Sequence, residues 1–520
     1  MEISSRFSQT IYRLSQANQM PLVLPDSRWQ PDLLIPFTCV LVAEMSNVTD
    51  LDYCDKLREF QLVQINGTWN RRRGSEHSDH QGHLSPAKIY ESSTADGVCW
   101  TVVSPIVFTY RIIQCNNLLD ADNDTLLFGH TGCCGELQNS SKPIKRFIVI
   151  DETVHALYGS RISEYLKARN VVYKMLPLPT TEENKSMELV TTILEEVHQF
   201  GIDRRSEPIL AIGGGVCLDI VGLAASLYRR RTPYIRIPTT LLAYVDASVG
   251  AKNGVNFANC KNKLGSYIPP VAVFLDRSFL GTVPRRHIAN GLAEMLKMAL
   301  MKHKGLFELL ESEGPRLLDS KFQTRDETDR TDQSPAASAS SRIAIETMLE
   351  ELAPNLWEDE LDRLVDFGHL ISPELEMKVL PALLHGEAVT IDMSLMVYVA
   401  CERGLLTAAL RDRVVRCMRA LELPVWHAAC SLELVREALG QRLKHSGGLV
   451  RMPLPTALGR AEIFNDTVKH HPHSEEASSR PANLTKTRQS NTILIQKKLA
   501  VGLLTSLKQG SQTPSSFRRS

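Results

Sequence analysis

The chain has no surplus charge, no closely paired cysteine motif and no apolar run long enough to cross a bilayer, and each absence removes a class of function. Its 520 residues carry 59 basic and 59 acidic side chains. A net charge of zero leaves no general electrostatic attraction to nucleic acid or to an anionic membrane surface, so neither is expected as a partner. Eleven cysteines are present, scattered singly apart from Cys133 and Cys134, and no CxxC occurs. A disulfide framework is not expected. The opening MEISSRFSQT lacks the basic region and apolar core of a leader, and the longest apolar stretches, near Ile35 to Ala43, are too short to span a membrane. The expectation is a cytoplasmic protein, which makes the N-x-S/T triplets at Asn47, Asn66, Asn123 and Asn139 chance matches.

What is present is ample material for a globular enzyme. Hydrophobic residues make up 43% of the chain, enough for two or three domains with their own cores. Residues 1–100 read as a divergent extension with weak strand-like runs. From 101 the pattern becomes α/β: KRFIVID is a short apolar run ending in an acid. Met187, Val190, Ile193, Leu194 and Val197 recur at helical spacing, and EPILAIGGG is a buried strand closing on glycines. Helix, strand and glycine turn in that order predict a doubly wound, Rossmann-like domain over 101–283. Strands then fade, and an all-helical domain is expected over 284–467, interrupted by an unstructured insert at 319–341 (charged, then Ser/Ala/Pro-rich). A flexible tail covers 468–520, including the solvated cluster His470, His471 and His473. The fold class is thus α/β followed by all-α.

Three local motifs carry one candidate metal ligand each: Glu294 in AEMLK, His369 in DFGH and His385 in LHGE. Two imidazoles and a carboxylate describe an open catalytic site rather than a closed structural one. A single histidine in apolar surroundings is more often a satisfied core residue, so the argument rests on all three together. Glu294 and Lys297 lie at i and i+3, which places a carboxylate and an ammonium on one helix face, although an isolated pair so spaced is usually a surface ion pair. Gly213, Gly214 and Gly215 follow a strand and open a helix, where backbone N–H groups can meet a pyrophosphate; the turn does not match GxGxxG, and a tight connection is about as good a reading. DASVGAKNGVN, with Asp246 and Lys252, reads as a loop of small residues suited to a phosphate or polyol, or simply as a solvated turn. Lys261 and Asn262 add a basic and amide pair nearby.

Taken together, GGGVCLD, the Thr239–Thr240 pair, AEMLK and the FGH and HGE segments resemble the sugar phosphate cyclases, the family that includes 3-dehydroquinate synthase, over roughly residues 145–467. The resemblance implies NAD held by Asp151, Glu182, Lys185, Gly213, Gly214, Gly215, Asp219, Thr239, Thr240, Lys261 and Thr282. It implies a divalent metal, zinc or cobalt, on Glu294, His369 and His385. Substrate contacts would come from Arg230, Asp246, Lys252, Asn262 and Lys297, with Lys252, Lys297, Glu358 and Asp246 taking part in catalysis, and the assembly would be a homodimer.

The departures point to a branch. Where dehydroquinate synthase grips a substrate carboxylate with an arginine and a lysine, this chain has Asp362 and Met348, and its second motif histidine is Pro373. An acidic sugar would meet Asp362 with like charge, so Asp362 and Met348 are expected to face a neutral polyol head. This combination resembles the branch that cyclises sedoheptulose 7-phosphate by transient oxidation, phosphate loss, reduction and aldol closure. Desmethyl-4-deoxygadusol is its first-ranked product here, with 2-epi-5-epi-valiolone and 3-dehydroquinate as alternatives. A metal-dependent polyol dehydrogenase would not need the charged set Lys252, Lys261 and Lys297, and a dead binding protein would be expected to lack a ligand.

Overall fold

In a computed structural model of the protein, the residues described are 88–94, 97–103, 108–131, 143–323, 334–445 and 448–467. The readings made for residues 1–87 and 468–520 lie outside them. Along the chain, β1 (Lys88–Thr94) and β2 (Gly97–Val103) form an antiparallel pair. They are followed by β3 (Arg111–Cys115), α1 (Thr125–Phe128), β4 (Lys145–Asp151), α2 (Glu152–Ala168), β5 (Val172–Leu178), α3 (Met187–Phe200), β6 (Ile209–Gly213), α4 (Gly215–Leu227) and β7 (Tyr234–Pro238). Then come β8 (Lys252–Phe257), β9 (Cys260–Tyr267) and β10 (Ala272–Asp276).

Six of these strands make one parallel sheet in the order β3-β10-β7-β6-β4-β5. A parallel sheet is covered on both faces, which is why its strands read as unbroken apolar runs. In β4, Phe147 and Val149 join one buried cluster with Val190, Ile193 and Leu218, while Ile148 and Ile150 join another with Leu126, Ile162 and Leu166. The chain goes outward from β4 to β5 and then returns to β6 on the other side of β4. That reversal leaves a crevice beyond the carboxyl ends of β4 and β6, where Asp151 and Gly213 stand.

The helical part comprises α5 (Arg285–Met301), α6 (Lys304–Ser320), α7 (Pro335–Leu352), α8 (Ser372–Val379), α9 (His385–Glu402), α10 (Ala408–Ala420) and α11 (Leu432–His445). It closes with an antiparallel hairpin, β11 (Leu449–Ala457) with β12 (Arg460–Thr467), so the region is not purely helical as the sequence suggested. RMPLPTALGRAEIF lacks clean alternation because β11 is buried along most of its length, with both Met452 and Pro453 in contact with the interior.

Two further expectations are corrected. The insert does not extend over 319–341: Asp319 and Ser320 end α6, and PAASASS forms the first two turns of α7, with Ser334 accepting from Ala337 N and Pro335 at the start. Small residues allow this, since Ala337, Ser340 and Ser341 are buried against neighbouring helices where larger ones would not fit. DASVGAKNGVN is not one loop either. Asp246 sits in a π-helical turn, Ala243–Ala247, and Lys252 opens β8, which packs on α4. Gly222 permits that packing, because a Cβ there would lie 1.6 Å from Asn253 Oδ1. Among the described residues no helix is long and apolar enough to cross a membrane.

Candidate active site and metal centre

Glu294, His369 and His385 converge, each offering one ligand atom, with all three atoms within 4.8 Å of one another. Glu294 comes from the middle of α5, His369 from the loop before α8, and His385 from the first residue of α9. Close approach of α5 and α9 brings them together: Gly386 N donates to Asn290 Oδ1 at 2.5 Å, and a Cβ on Gly386 would lie 2.1 Å from Asn290 O. His369 Nε2 lies 3.9 Å and His385 Nε2 3.4 Å from Glu294 Oε1. His369 Nδ1 is 3.1 Å from Phe367 O, which assigns the proton to Nδ1 and leaves Nε2 as a free acceptor.

The electrostatics suit a cation. Burial and the Lys297 ammonium hold His369 well below its ordinary pKa, so it is a neutral ligand. Burial opposes ionisation of Glu294, but Lys297 and the two histidines hold its carboxyl well below the usual range. Neither Glu294 oxygen receives a well-directed hydrogen bond, although Lys297 Nζ is 2.6 Å from Oε2. A buried carboxylate with open lone pairs beside two imidazole nitrogens is a donor set for a divalent ion.

Behind His385 stands a residue that the sequence reading missed. Glu376 on α8 is buried and places Oε2 2.8 Å from His385 Nδ1, fixing the ring so that Nε2 faces Glu294. Lys261 Nζ pairs with the same oxygen at 2.5 Å and comes within 3.1 Å of Nδ1. Expected as a cofactor contact, Lys261 therefore points its ammonium to the metal side. Burial and Lys261 disfavour a charged His385, yet the Glu376 and Glu294 carboxylates outweigh them and raise its pKa to about 9 without a cation, so a metal binding at Nε2 would displace a proton. The SPELEMK segment offered one signal: Glu376 follows Pro373, a proline at the start of a helix, by three residues.

Lys297 also reaches Asp246 Oδ2 at 2.9 Å, so one buried ammonium lies between two carboxylates. Burial raises Asp246 to about 6, against the pull of Lys297 and with added repulsion from Glu294. The pair spaced i, i+3 is thus interior rather than a solvated surface contact.

On the cofactor side, Asp151 caps α2 through Thr153 N and Val154 N and accepts from Thr180 Oγ1 at 2.5 Å. Gly213 O accepts from Thr239 N at 2.9 Å, and the Thr239 hydroxyl is buried with no hydrogen-bond partner. Thr240 lies against Gly214, where a Cβ would meet Thr240 Cγ2 at 3.4 Å. Lys185 donates to Asp219 Oδ2 at 2.6 Å and to Asn262 Oδ1 at 2.7 Å. Glu182 receives Asn256 Nδ2 at 3.0 Å, and Thr282 Oγ1 shares a 2.9 Å bond with Tyr158 OH. A side-chain-free turn at a topological switch point, with an unsatisfied hydroxyl and the N-terminus of α4 beside it, can accept a dinucleotide.

Glu358 has φ +58 and is held by Lys252, by Arg363 and by Tyr267 OH at 3.0 Å. Burial alone would raise its pKa, but Lys252 and Arg363 bring it below the usual value, so it is an ionised base. Arg363 and Tyr267 were not foreseen. Three expected substrate contacts need correction. Asp362 is exposed and donor-paired, with Arg451 Nε 2.7 Å from Oδ1, so its charge is offset and the like-charge argument against an acidic sugar loses its basis. Met348 is buried among the helices on α7. Arg230 is exposed in a turn after α4, at the far end of that thirteen-residue helix and about 20 Å from the glycine turn.

Models of known families agree with this geometry. The N-terminal model of 3-dehydroquinate synthase matches residues 175–290, and the C-terminal model matches 291–445. A 2-epi-5-epi-valiolone synthase of Actinomyces sp is 48% identical over 367 residues, which cover 71% of this chain and 94% of that protein. A demethyl-4-deoxygadusol synthase of Trichormus variabilis is 36% identical over 321 residues, covering 62% and 78%. A solved 2-epi-5-epi-valiolone synthase from Streptomyces hygroscopicus subsp. jinggangensis, with NAD+ and Zn2+ bound, superposes with a TM-score of 0.67 at 41% identity, covering 79% of this chain and all of that one.

Proposed function

Because the chain belongs to the 3-dehydroquinate synthase family of sugar phosphate cyclases, we propose that it cyclises sedoheptulose 7-phosphate, with loss of phosphate, to 2-epi-5-epi-valiolone. The observation that carries the cyclase reading is the convergence of Glu294, His369 and His385 beside the Lys297–Asp246 pair, and Pro373, which cannot exchange a proton, stands where acidic-sugar cyclases are expected to carry a histidine. Identity of 48% with a valiolone synthase, against 36% with a demethyl-4-deoxygadusol synthase, supports valiolone over the gadusol product that local segments and Met348 favoured. The gadusol product stays as a second reading, supported by ETMLEELAPNLWE and MPLPTALGRAEIFND. The same reading makes the enzyme a cytoplasmic homodimer.

Glu294, His369 and His385 would hold a zinc-type cation, and Asp151, the Gly213–Gly215 turn, Thr239, Thr240 and the Lys185–Asp219 pair would hold NAD. When bound, NAD supplies a reversible hydride acceptor and the cation polarises a substrate hydroxyl. The chain's own residues do the rest. Asp246, whose carboxyl burial pushes upward beside Lys297, is the candidate for proton exchange. Lys297 and Lys252 offset charge that develops on the departing phosphate, with Asn262 orienting it. Glu358, ionised and held by Lys252, Arg363 and Tyr267, would take the proton that a histidine at 373 would have taken.

The product decides between the two readings. Purified protein incubated with NAD, zinc and sedoheptulose 7-phosphate is expected to give a C7 cyclitol without strong near-ultraviolet absorption; a strongly absorbing conjugated enone would establish the gadusol reading in its place.

A further inference from the structure

We propose that Lys261 and Glu376 are positioning residues that couple the metal centre to the cofactor crevice through the β8–β9 hairpin, so that filling either site tightens the other. The inference rests on the reading above that both are bound. Lys261 and Asn262 lie at the start of β9, where the register with β8 shifts and Asn262 has a positive φ, and their side chains reach different partners. Lys261 reaches Glu376 Oε2 at 2.5 Å, and that oxygen holds His385 Nδ1 at 2.8 Å. Asn262 Oδ1 accepts from Lys185 Nζ at 2.7 Å, and the same ammonium donates to Asp219 Oδ2 at 2.6 Å. A chain of short polar contacts thus runs from a metal ligand to the residue four beyond the glycine turn, crossing the hairpin at a single peptide unit.

The hairpin end is built to transmit position. Ala258, Asn259 and Asn262 all have positive φ. Asn256 clamps the same end, accepting from Asn262 N at 2.9 Å, donating its own N–H to Lys185 O at 2.8 Å and its amide to Glu182 Oε1 at 3.0 Å. Lys185 and Glu376 are buried, where an unpaired charge is costly, so neither pair can part to absorb a displacement. A cation bound by His385 Nε2 together with Glu294 and His369 would hold the imidazole ring in place, and with it the Glu376 carboxylate at Nδ1 and its partner Lys261. The next residue then presents its amide to Lys185 before the cofactor arrives, which removes part of the ordering cost of binding it. Linkage makes the effect reciprocal.

The test is calorimetric titration of the full-length protein with NAD, zinc-loaded and chelator-stripped, for the wild type and for Lys261→Met, with Lys261→Arg as a charge-preserving control. The wild type should bind NAD about tenfold more tightly when loaded, a factor within the usual range of coupling between sites. Lys261→Met should abolish that metal dependence while leaving the metal-free Kd unchanged, and Lys261→Arg should retain most of it. If Lys261→Met does not fold, Glu376→Gln, which keeps an acceptor for His385 but loses the charge that holds Lys261, should abolish the dependence equally. A wild type that binds both zinc and NAD without linkage would overturn this inference alone. Lys261→Met weakening NAD equally with and without metal would also overturn it, marking Lys261 as a direct cofactor contact. A wild type that binds neither would overturn the functional reading as well.

Discussion

The two halves of the site handle their buried charges in opposite ways. On the cofactor side, Lys185, Asp219 and Asn262 satisfy one another at 2.6 and 2.7 Å, and the crevice itself is made by sheet topology and a turn without side chains. On the metal side, Glu294 keeps both oxygens without a directed donor, and Asp246 is pushed up to about 6 by its burial. In the first half the charges pair with one another and only the Thr239 hydroxyl is left without a partner among the groups named; in the second the open carboxylate is the group that a cation would complete. The crevice needs the sheet order and a glycine turn that reads as one short motif, whereas the charge-poised centre needs ligands from separate helices held by further residues behind them.

The comparison breaks most visibly at the ligands. His385→Ala should abolish zinc retention and turnover together, read by metal analysis after dialysis, while the NAD crevice keeps its fold by circular dichroism; retained zinc would remove His385 from the ligand set. Lys185→Met, on the self-satisfied side, should instead cost about 3 kcal/mol of stability by leaving the Asp219 charge without its buried partner, measured by denaturant unfolding.

A pH experiment sharpens the contrast with a third buried acid. Asp392 on α9 accepts from Ile371 N at 2.6 Å and Ser372 N at 2.9 Å, steadying the loop that carries His369. Burial raises it from 3.8 to about 6 despite those bonds. The native state therefore binds this proton more tightly than the unfolded chain. Its contribution is full below pH 3.8 and is lost as pH rises through about 6. Asp392→Asn should flatten that part of the stability–pH curve, by up to about 3 kcal/mol between the limits. An unchanged slope would mean that Asp392 ionises normally.

Smaller effects follow further out. Glu376→Ala should weaken zinc about 10–100-fold, as expected for a group that orients a ligand rather than binding the metal, measured by chelator competition. Asp362→Ala should change stability by less than about 1 kcal/mol, because its pair with Arg451 is exposed.

Legibility in the sequence follows the same division. KRFIVID, EPILAIGGG and AEMLK act over a few residues, so apolar periodicity and i, i+3 spacing foretold β4, β6 with its turn, and the face shared by Glu294 and Lys297. His369 and His385 each stood out in a short motif of its own, but nothing local joins them to Glu294, and only the fold brings the three together. Glu376, Arg363 and Tyr267 escaped notice because their partners lie on other elements. That Lys261 and Asn262 reach different partners becomes visible only once β8 and β9 are paired. Asp362 misled in a different way: its charge was evident, but the Arg451 that offsets it comes from β11, 89 residues later.

The central claim is that the NAD crevice and the charge-poised centre together make a cyclase that uses its cofactor without consuming it. The most direct measurement follows phosphate and NADH together, with NAD and zinc or cobalt present, first on sedoheptulose 7-phosphate and then on the acidic substrate of dehydroquinate synthase. Phosphate released from the former alone, with no build-up of NADH, is the predicted result. Steady NADH accumulation, or phosphate released only from the acidic sugar, would contradict it.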